Sequence, residues 1–395
     1  MVASRRTATC GAVWTLAALT AYSYAGAQGE QKQATVTLGR WQSRELQRED
    51  LRGKRQRSRD ATFGLGGETV YGIKYVAAFD EANPDRAIPV EGYIGMPRPS
   101  SENWYHSGFL FISINGQDIG TAALSSMMVT ETGRRAILDM VWHRPLASVR
   151  ARFLGLPGGD CLYVEIAIEP RQEITELSIR ARCYPSFFTA WHQREGARRI
   201  ETPTTVVLQG ERETVSAADN WWMVYYDEVF DVASGEGVGP CGMMVLPQEG
   251  AEVTLAPGSY AVDTRLDYPP TARRLRLAFW DFKGQTNEDV LRAMPTRAAA
   301  ARRRLTKLDF TPEAIRSFDF ASARAEMQRA GASEAVRAQL GHRLAEMQTW
   351  LAQAEAGLAE RAEAPEVSAA EAMLQSIDQF HAFVWEVRLA ELLDF

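Results

Sequence analysis

Two groups of residues in this sequence have the types and spacing to do chemistry. The first is the stretch Asn220 to Asp231, NWWMVYYDEVFD, where Trp221, Trp222, Tyr225 and Tyr226 run into Asp227, Glu228 and Asp231. Aromatic rings can stack on the C–H faces of sugar rings, and neighbouring carboxylates accept hydrogen bonds from sugar hydroxyls. The second is three histidines beside aromatic residues: His106 in NWYHSGF, His143 in VWHRP and His192 in AWHQRE. Imidazole titrates near neutral pH, so each has the chemistry of a general acid or base. Glycoside hydrolysis would need two carboxyl groups about 5 to 9.5 Å apart, and Asp227 with Asp231 or Glu228 are the candidates. Ligand contacts are expected from Trp221, Trp222, Tyr225, Tyr226, Asp227, His106 and His192, with no catalytic residue singled out.

The competing reading of the aromatic stretch is a central strand between two layers. With a period of two, Trp222, Val224, Tyr226, Glu228 and Phe230 share one face, and Trp221, Met223, Tyr225, Asp227 and Val229 the other. Both faces are largely apolar, so one belongs to a core and the other meets either a further layer or a ligand.

Other chemistries find little footing. GLGG at Gly64 to Gly67 precedes no helix and reads as a turn, and no G-x-S-x-G elbow or phosphate loop occurs. The four cysteines and five histidines show no zinc-ligand spacing, so neither a metal nor another cofactor is expected. A formal charge of -6 gives no general attraction to nucleic acid, and the basic cluster Arg302 to Arg304 reads as a solvated helix face.

The elements that must position these residues are legible from periodicity. Arg5 and Arg6, an apolar run from Ala8 to Ala21 and small residues at Ala25 and Ala27 read as a secretory signal over residues 1–27, with an uncleaved anchor as the alternative. An exported protein, periplasmic or extracellular, is expected. Residues 28–61 read as a polar leader, solvated or forming a short helix. From residue 62 to 285, β-branched and aromatic residues alternate with polar ones between Gly, Pro and Asn, as in CLYVEIAIEP, ELSIRARCYP and RRLRLAFWDF. The expectation is mainly β: a large antiparallel sandwich. If Leu162–Ile168 and Leu177–Tyr184 form a hairpin, Cys161 and Cys183 fall opposite each other, and a disulfide or two buried thiols both fit. Residues 286–395 read as an α-helical C-terminal region, with a seam through Val336, Leu340, Leu344, Met347 and Leu351 facing Met373, Ile377, Phe380, Val384 and Val387.

The segment MMVLPQEGAEVTLAPGSYAVDTRLDY, Met243 to Tyr268, resembles the closing strands of the galactose mutarotase (aldose epimerase) family. The matching residues are Pro247, Gln248, Leu255, Pro257, Gly258, Tyr260 and Thr264. This resemblance implies a β-supersandwich and a sugar ligand. The family's catalytic Glu precedes Pro-Gln, and Leu246 stands there in this chain, so the resemblance implies binding without epimerase catalysis.

Three functions follow as expectations. The first is an exported carbohydrate-recognition protein with an oligosaccharide or polysaccharide partner. The second is a carbohydrate-active hydrolase, lyase or epimerase using Asp, Glu or His. The third is an envelope structural or assembly protein whose C-terminal helices bind a protein partner or a second copy.

Overall fold

The computed structural model describes residues 33–47, 53–80, 83–186, 194–330, 333–360 and 367–393. The expected signal segment, Trp191 and His192 lie outside the described residues. The first ten strands are β1 (Thr35–Leu38), β2 (Gln42–Glu45), β3 (Lys54–Gly64), β4 (Val70–Asp80), β5 (Asn83–Arg98), β6 (Leu110–Ile114), β7 (Gln117–Asp118), β8 (Ser126–Glu131), β9 (Ala136–His143) and β10 (Ala147–Gly155). Ten more follow: β11 (Leu162–Pro170), β12 (Leu177–Cys183), β13 (Arg198–Glu201), β14 (Val206–Leu208), β15 (Glu213–Ser216), β16 (Trp222–Asp227), β17 (Cys241–Val245), β18 (Glu252–Pro257), β19 (Val262–Tyr268) and β20 (Arg274–Asp281). Five α-helices follow among the described residues: α1 (Asn287–Lys307), α2 (Glu313–Ser317), α3 (Phe320–Ala330), α4 (Glu334–Glu360) and α5 (Val367–Leu393).

The strands form two antiparallel sheets, as the alternation predicts. One runs β1-β3-β4-β5-β6-β12-β19-β18-β15, with β2 beside β3 and β7 beside β6; the other runs β14-β13-β16-β17-β20-β11-β10-β9-β8. Their inner faces enclose one apolar core, in which Trp104 meets Phe279 at 4.9 Å and Tyr225 at 5.5 Å. The Trp104 indole N–H donates to the Trp280 carbonyl at 2.7 Å, so this large side chain is buried with its one donor satisfied.

The segment read as a polar leader contributes strands: β1, β2 and most of β3 lie before residue 62. Arg55, Arg57 and Arg59 alternate along β3, which pairs with β4 on one side and with β1 and β2 on the other, and Arg59 donates Nη1 to the Met127 carbonyl of the facing sheet at 3.1 Å.

The expected hairpin between β11 and β12 does not form. β11 pairs with β10 and β20, while β12 pairs with β6 and β19, so consecutive strands belong to opposite sheets. Cys161 and Cys183 are therefore not cross-strand partners, and Cys161, Cys183 and Cys241 are all free and buried.

The outer face of the nine-stranded sheet is divided into bands by register. Trp222, Met244, Ala278, Tyr163, Leu154 and Ile137 lie opposite one another in successive strands, forming an apolar row. Helix α1 covers this row with Val290, Met294, Ala298, Ala301 and Leu305, and Thr286 caps it by accepting the Asp289 N–H. Two residues further along each strand, Arg276, Glu165, Arg152 and Asp139 line up in the same way, with signs alternating. Helices α3, α4 and α5 bury Met327, Val336, Met347, Leu351, Phe380 and Phe383 among themselves, as their heptad-like spacing requires. Trp385, Leu389 and Leu392 stay exposed on α5.

Candidate functional site

The aromatic strand β16 is covered on both sides. Met223 and Tyr225 lie in the core between the sheets, while Trp222, Val224 and Tyr226 lie under α1. Trp222 and Tyr226 are each 6% exposed and Tyr225 1%. Burial pushes the Tyr225 phenol well up and keeps it protonated. Trp221 is half-buried, and its ring meets the Arg302 guanidinium at 4.8 Å.

Asp227 is fully buried and works on the backbone. Its Oδ1 accepts N–H bonds from Ala197 at 3.1 Å, Val229 at 2.8 Å and Phe230 at 3.2 Å. Its Oδ2 stands 3.9 Å from Arg198 Nε, and Arg198 donates Nη1 to the Ser259 carbonyl at 2.5 Å. The carboxylate so fastens the turn after β16. Of the candidate partners, Glu228 is exposed and pairs with Arg199, and Asp231 accepts the Ala233 and Asn287 N–H groups.

His106 lies elsewhere, at one end of the outer face of the eleven-stranded sheet. Its Nδ1 is 3.0 Å from the Ser101 carbonyl. A carbonyl only accepts, so Nδ1 carries the proton and Nε2 is left as an acceptor. The loop that carries it crosses β5 closely: a Cβ at Gly95 would fall 1.9 Å from the His106 carbonyl oxygen, so only glycine admits the approach.

Around His106 the rings form a run. Tyr105 is 4.7 Å from the His106 ring and 4.6 Å from Tyr184, and Tyr184 is 5.0 Å from Tyr260. Tyr184 is buried, and burial followed by its hydrogen bond with Tyr260 pushes its phenol up. Tyr260 is 51% exposed and Tyr105 half-buried, so the run opens to solvent. Beside it Arg182 holds Asp263 through two bonds, Nε to Oδ1 at 2.9 Å and Nη2 to Oδ2 at 3.0 Å. Arg180, 3.5 Å from Asp263, lies 3.9 Å over the Phe111 ring. Arg180 and Arg182 alternate along β12 and Tyr184, just past its end, continues the alternation, so all three side chains stand on the side of the sheet away from the core.

The structure thus separates the expected ligand residues. Trp221, Trp222, Tyr225, Tyr226 and Asp227 belong to β16, inside the molecule or against α1; His106 belongs to an open aromatic and charged surface. Tyr105, Tyr184, Arg182 and Asp263 went unmarked by the sequence reading. The alternation in SIRARCY was their signal, because it points two arginines and a tyrosine the same way. His143, the remaining histidine of the β region, binds Glu371 of α5 and Ser148. Ser148 is fully buried, so this Ser-His-Glu contact is a clamp between sheet and helix.

No protein-family model matches the chain, and no curated protein matches it. Among solved structures, it is similar to a family 36 glycoside hydrolase, an α-galactosidase from Geobacillus stearothermophilus, at 9% identity and a TM-score of 0.32. That likeness covers 56% of this chain and 40% of the galactosidase, so the chain spans well under half of that enzyme's length. It is also similar to a protein assigned as an aldose 1-epimerase from Klebsiella pneumoniae subsp. pneumoniae, at 8% identity and a TM-score of 0.32, over 63% of this chain and 88% of that one.

Proposed function

We propose that this chain is an exported, mutarotase-like sandwich that recognises carbohydrate on the outer face of its eleven-stranded sheet. The observation that carries the reading is the run Tyr105, Tyr184 and Tyr260 beside the Arg182–Asp263 pair. The exposed Tyr260 ring and the half-buried Tyr105 ring, backed by the buried Tyr184, offer apolar faces to a pyranose, while the guanidinium and carboxylate supply donors and acceptors for hydroxyls. Asp263 keeps acceptor capacity because each carboxylate oxygen has two lone pairs and Arg182 takes one on each. His106 adds an acceptor at Nε2. Recognition without epimerisation is favoured by Leu246, an aliphatic side chain where proton transfer would need a carboxylate.

Calorimetry of the full chain against a panel of neutral and acidic oligosaccharides tests the reading. Wild type binds at least one glycan, and Tyr260→Ala weakens that binding about tenfold or more, as loss of an aromatic anchor does. Trp222→Ala, in the buried strand, leaves the affinity of the folded protein unchanged. Binding to no glycan, or equal binding by Tyr260→Ala, removes the proposal.

A further inference from the structure

The ionic row on the other sheet borders a cavity of about 300 Å³, closed on its far side by the chain between α1 and α2. Four guanidinium groups line it, those of Arg150, Arg152, Arg274 and Arg276, against the carboxylates of Glu165 and Asp309. Register explains the convergence: Arg276, Glu165 and Arg152 are opposite one another in β20, β11 and β10, and Arg274, Ala167 and Arg150 are opposite in the next row.

Arg152 is taken by Asp139, with Nε 2.5 Å from Oδ1, and donates Nη1 to the Phe310 carbonyl at 2.6 Å. Glu165, fully buried, is shared three ways: Arg150 Nη2 at 3.2 Å, Arg274 Nη1 at 3.4 Å and Arg276 Nη2 at 2.9 Å. Asp309 is itself engaged by Arg316 at 2.9 Å. Arg150 is only 6% exposed, and its Nε is buried with no hydrogen-bond partner among the described residues. Its guanidinium is pushed down to about 10, by burial first and by Arg152 next. A buried cation with an unmet donor costs stability, and an added oxyanion would offset that cost through charge-assisted bonds. The Arg274 side chain, 43% exposed, places one cation at the mouth.

We infer that this cavity is a second binding site, distinct from the tyrosine surface, for the oxyanionic group of a small ligand: a carboxylate, as on an acidic sugar, or a sulfate. Its volume suits a ligand of about one sugar ring, at the low end of small-molecule pockets. Planar guanidinium forks match both groups bidentately.

The test is thermal unfolding and calorimetry of the full chain with sodium glucuronate and, separately, sodium sulfate, each against sodium chloride at equal ionic strength. The expected result is a saturable rise in Tm with one or both oxyanions beyond that in chloride; glucuronate alone identifies an acidic sugar, sulfate alone a sulfate group. Arg150→Met weakens that response about tenfold or more. If Arg150→Met does not fold, Arg274→Gln at the mouth carries the test, because its site is half-exposed. Arg329→Gln, a surface arginine paired with Glu326 on α3, keeps the wild-type response. Responses no larger than chloride, or equal in wild type and Arg274→Gln, overturn the inference.

Discussion

His143 Nε2 lies 2.5 Å from Glu371 Oε2, joining the end of β9 to the first turns of α5. The other Glu371 oxygen accepts the Ser126 hydroxyl, His143 Nδ1 meets Ser148 Oγ at 2.8 Å, and Ser368 donates its N–H to Glu169 at 2.9 Å. This contact is the polar end of the seam that docks the helical region on the sheet. Glu371→Ala leaves its partners short of an acceptor and is expected to cost about 1 to 3 kcal/mol. Hydrogen exchange localises the effect: amides of α5 near Ser368 to Ile377 exchange faster, while β10 and β11 keep wild-type protection.

Arg152→Met leaves Asp139, 1% exposed, as a buried charge without its partner. A loss of about 3 to 5 kcal/mol is expected from urea unfolding. Arg152→Met combined with Asp139→Leu recovers most of it, because the desolvation of both charges is relieved together. Equal stability of the single and double variants would contradict a direct pair.

Trp222→Ala opens a cavity under α1 and is expected to destabilise by about 3 to 5 kcal/mol. Tyr260→Ala removes an exposed ring and shifts stability by less than about 0.5 kcal/mol. The two aromatic residues thereby separate packing from recognition, with unfolding midpoints as the measure.

Asp118 has its carboxyl pushed up to about 6 by burial, against the opposing pull of the Gly120 N–H and of Arg180. The unfolded chain holds this group near the ordinary carboxylate value of about 3.9. The folded state therefore keeps the proton to higher pH, and Asp118 withdraws stability as pH rises from about 4 to 6. Asp118→Asn, neutral throughout, is expected to match wild type near pH 4 and to exceed it near pH 7.5. Urea midpoints at the two pH values check the sign.

For the candidate site the sequence was legible to the level of strands and of the two faces of β16, and no further. It placed Trp222 and Tyr225 on opposite sides of β16, and the structure places them so. It could not tell a groove from a packed layer, because α1, more than 60 residues later, is what covers Trp222. The ionic row was equally hidden. Asp139, Arg152, Glu165 and Arg276 each interrupt an apolar alternation, yet only the register of four strands makes them neighbours.

By itself, then, the amino-acid sequence determined the local elements after residue 62, period-two strands to Asp281 and helices from Asn287, while the polar stretch before it gave no sign of β1, β2 and β3. The elements so determined follow from side-chain periodicity, which acts over a few residues. Tertiary structure alone decided that β11 and β12 part into opposite sheets, that Asp227 braces a turn, and that Tyr105, Tyr184 and Tyr260 meet. Those outcomes depend on which distant strands share hydrogen bonds, and shifting one strand by a single residue would turn every side chain on it to the other face.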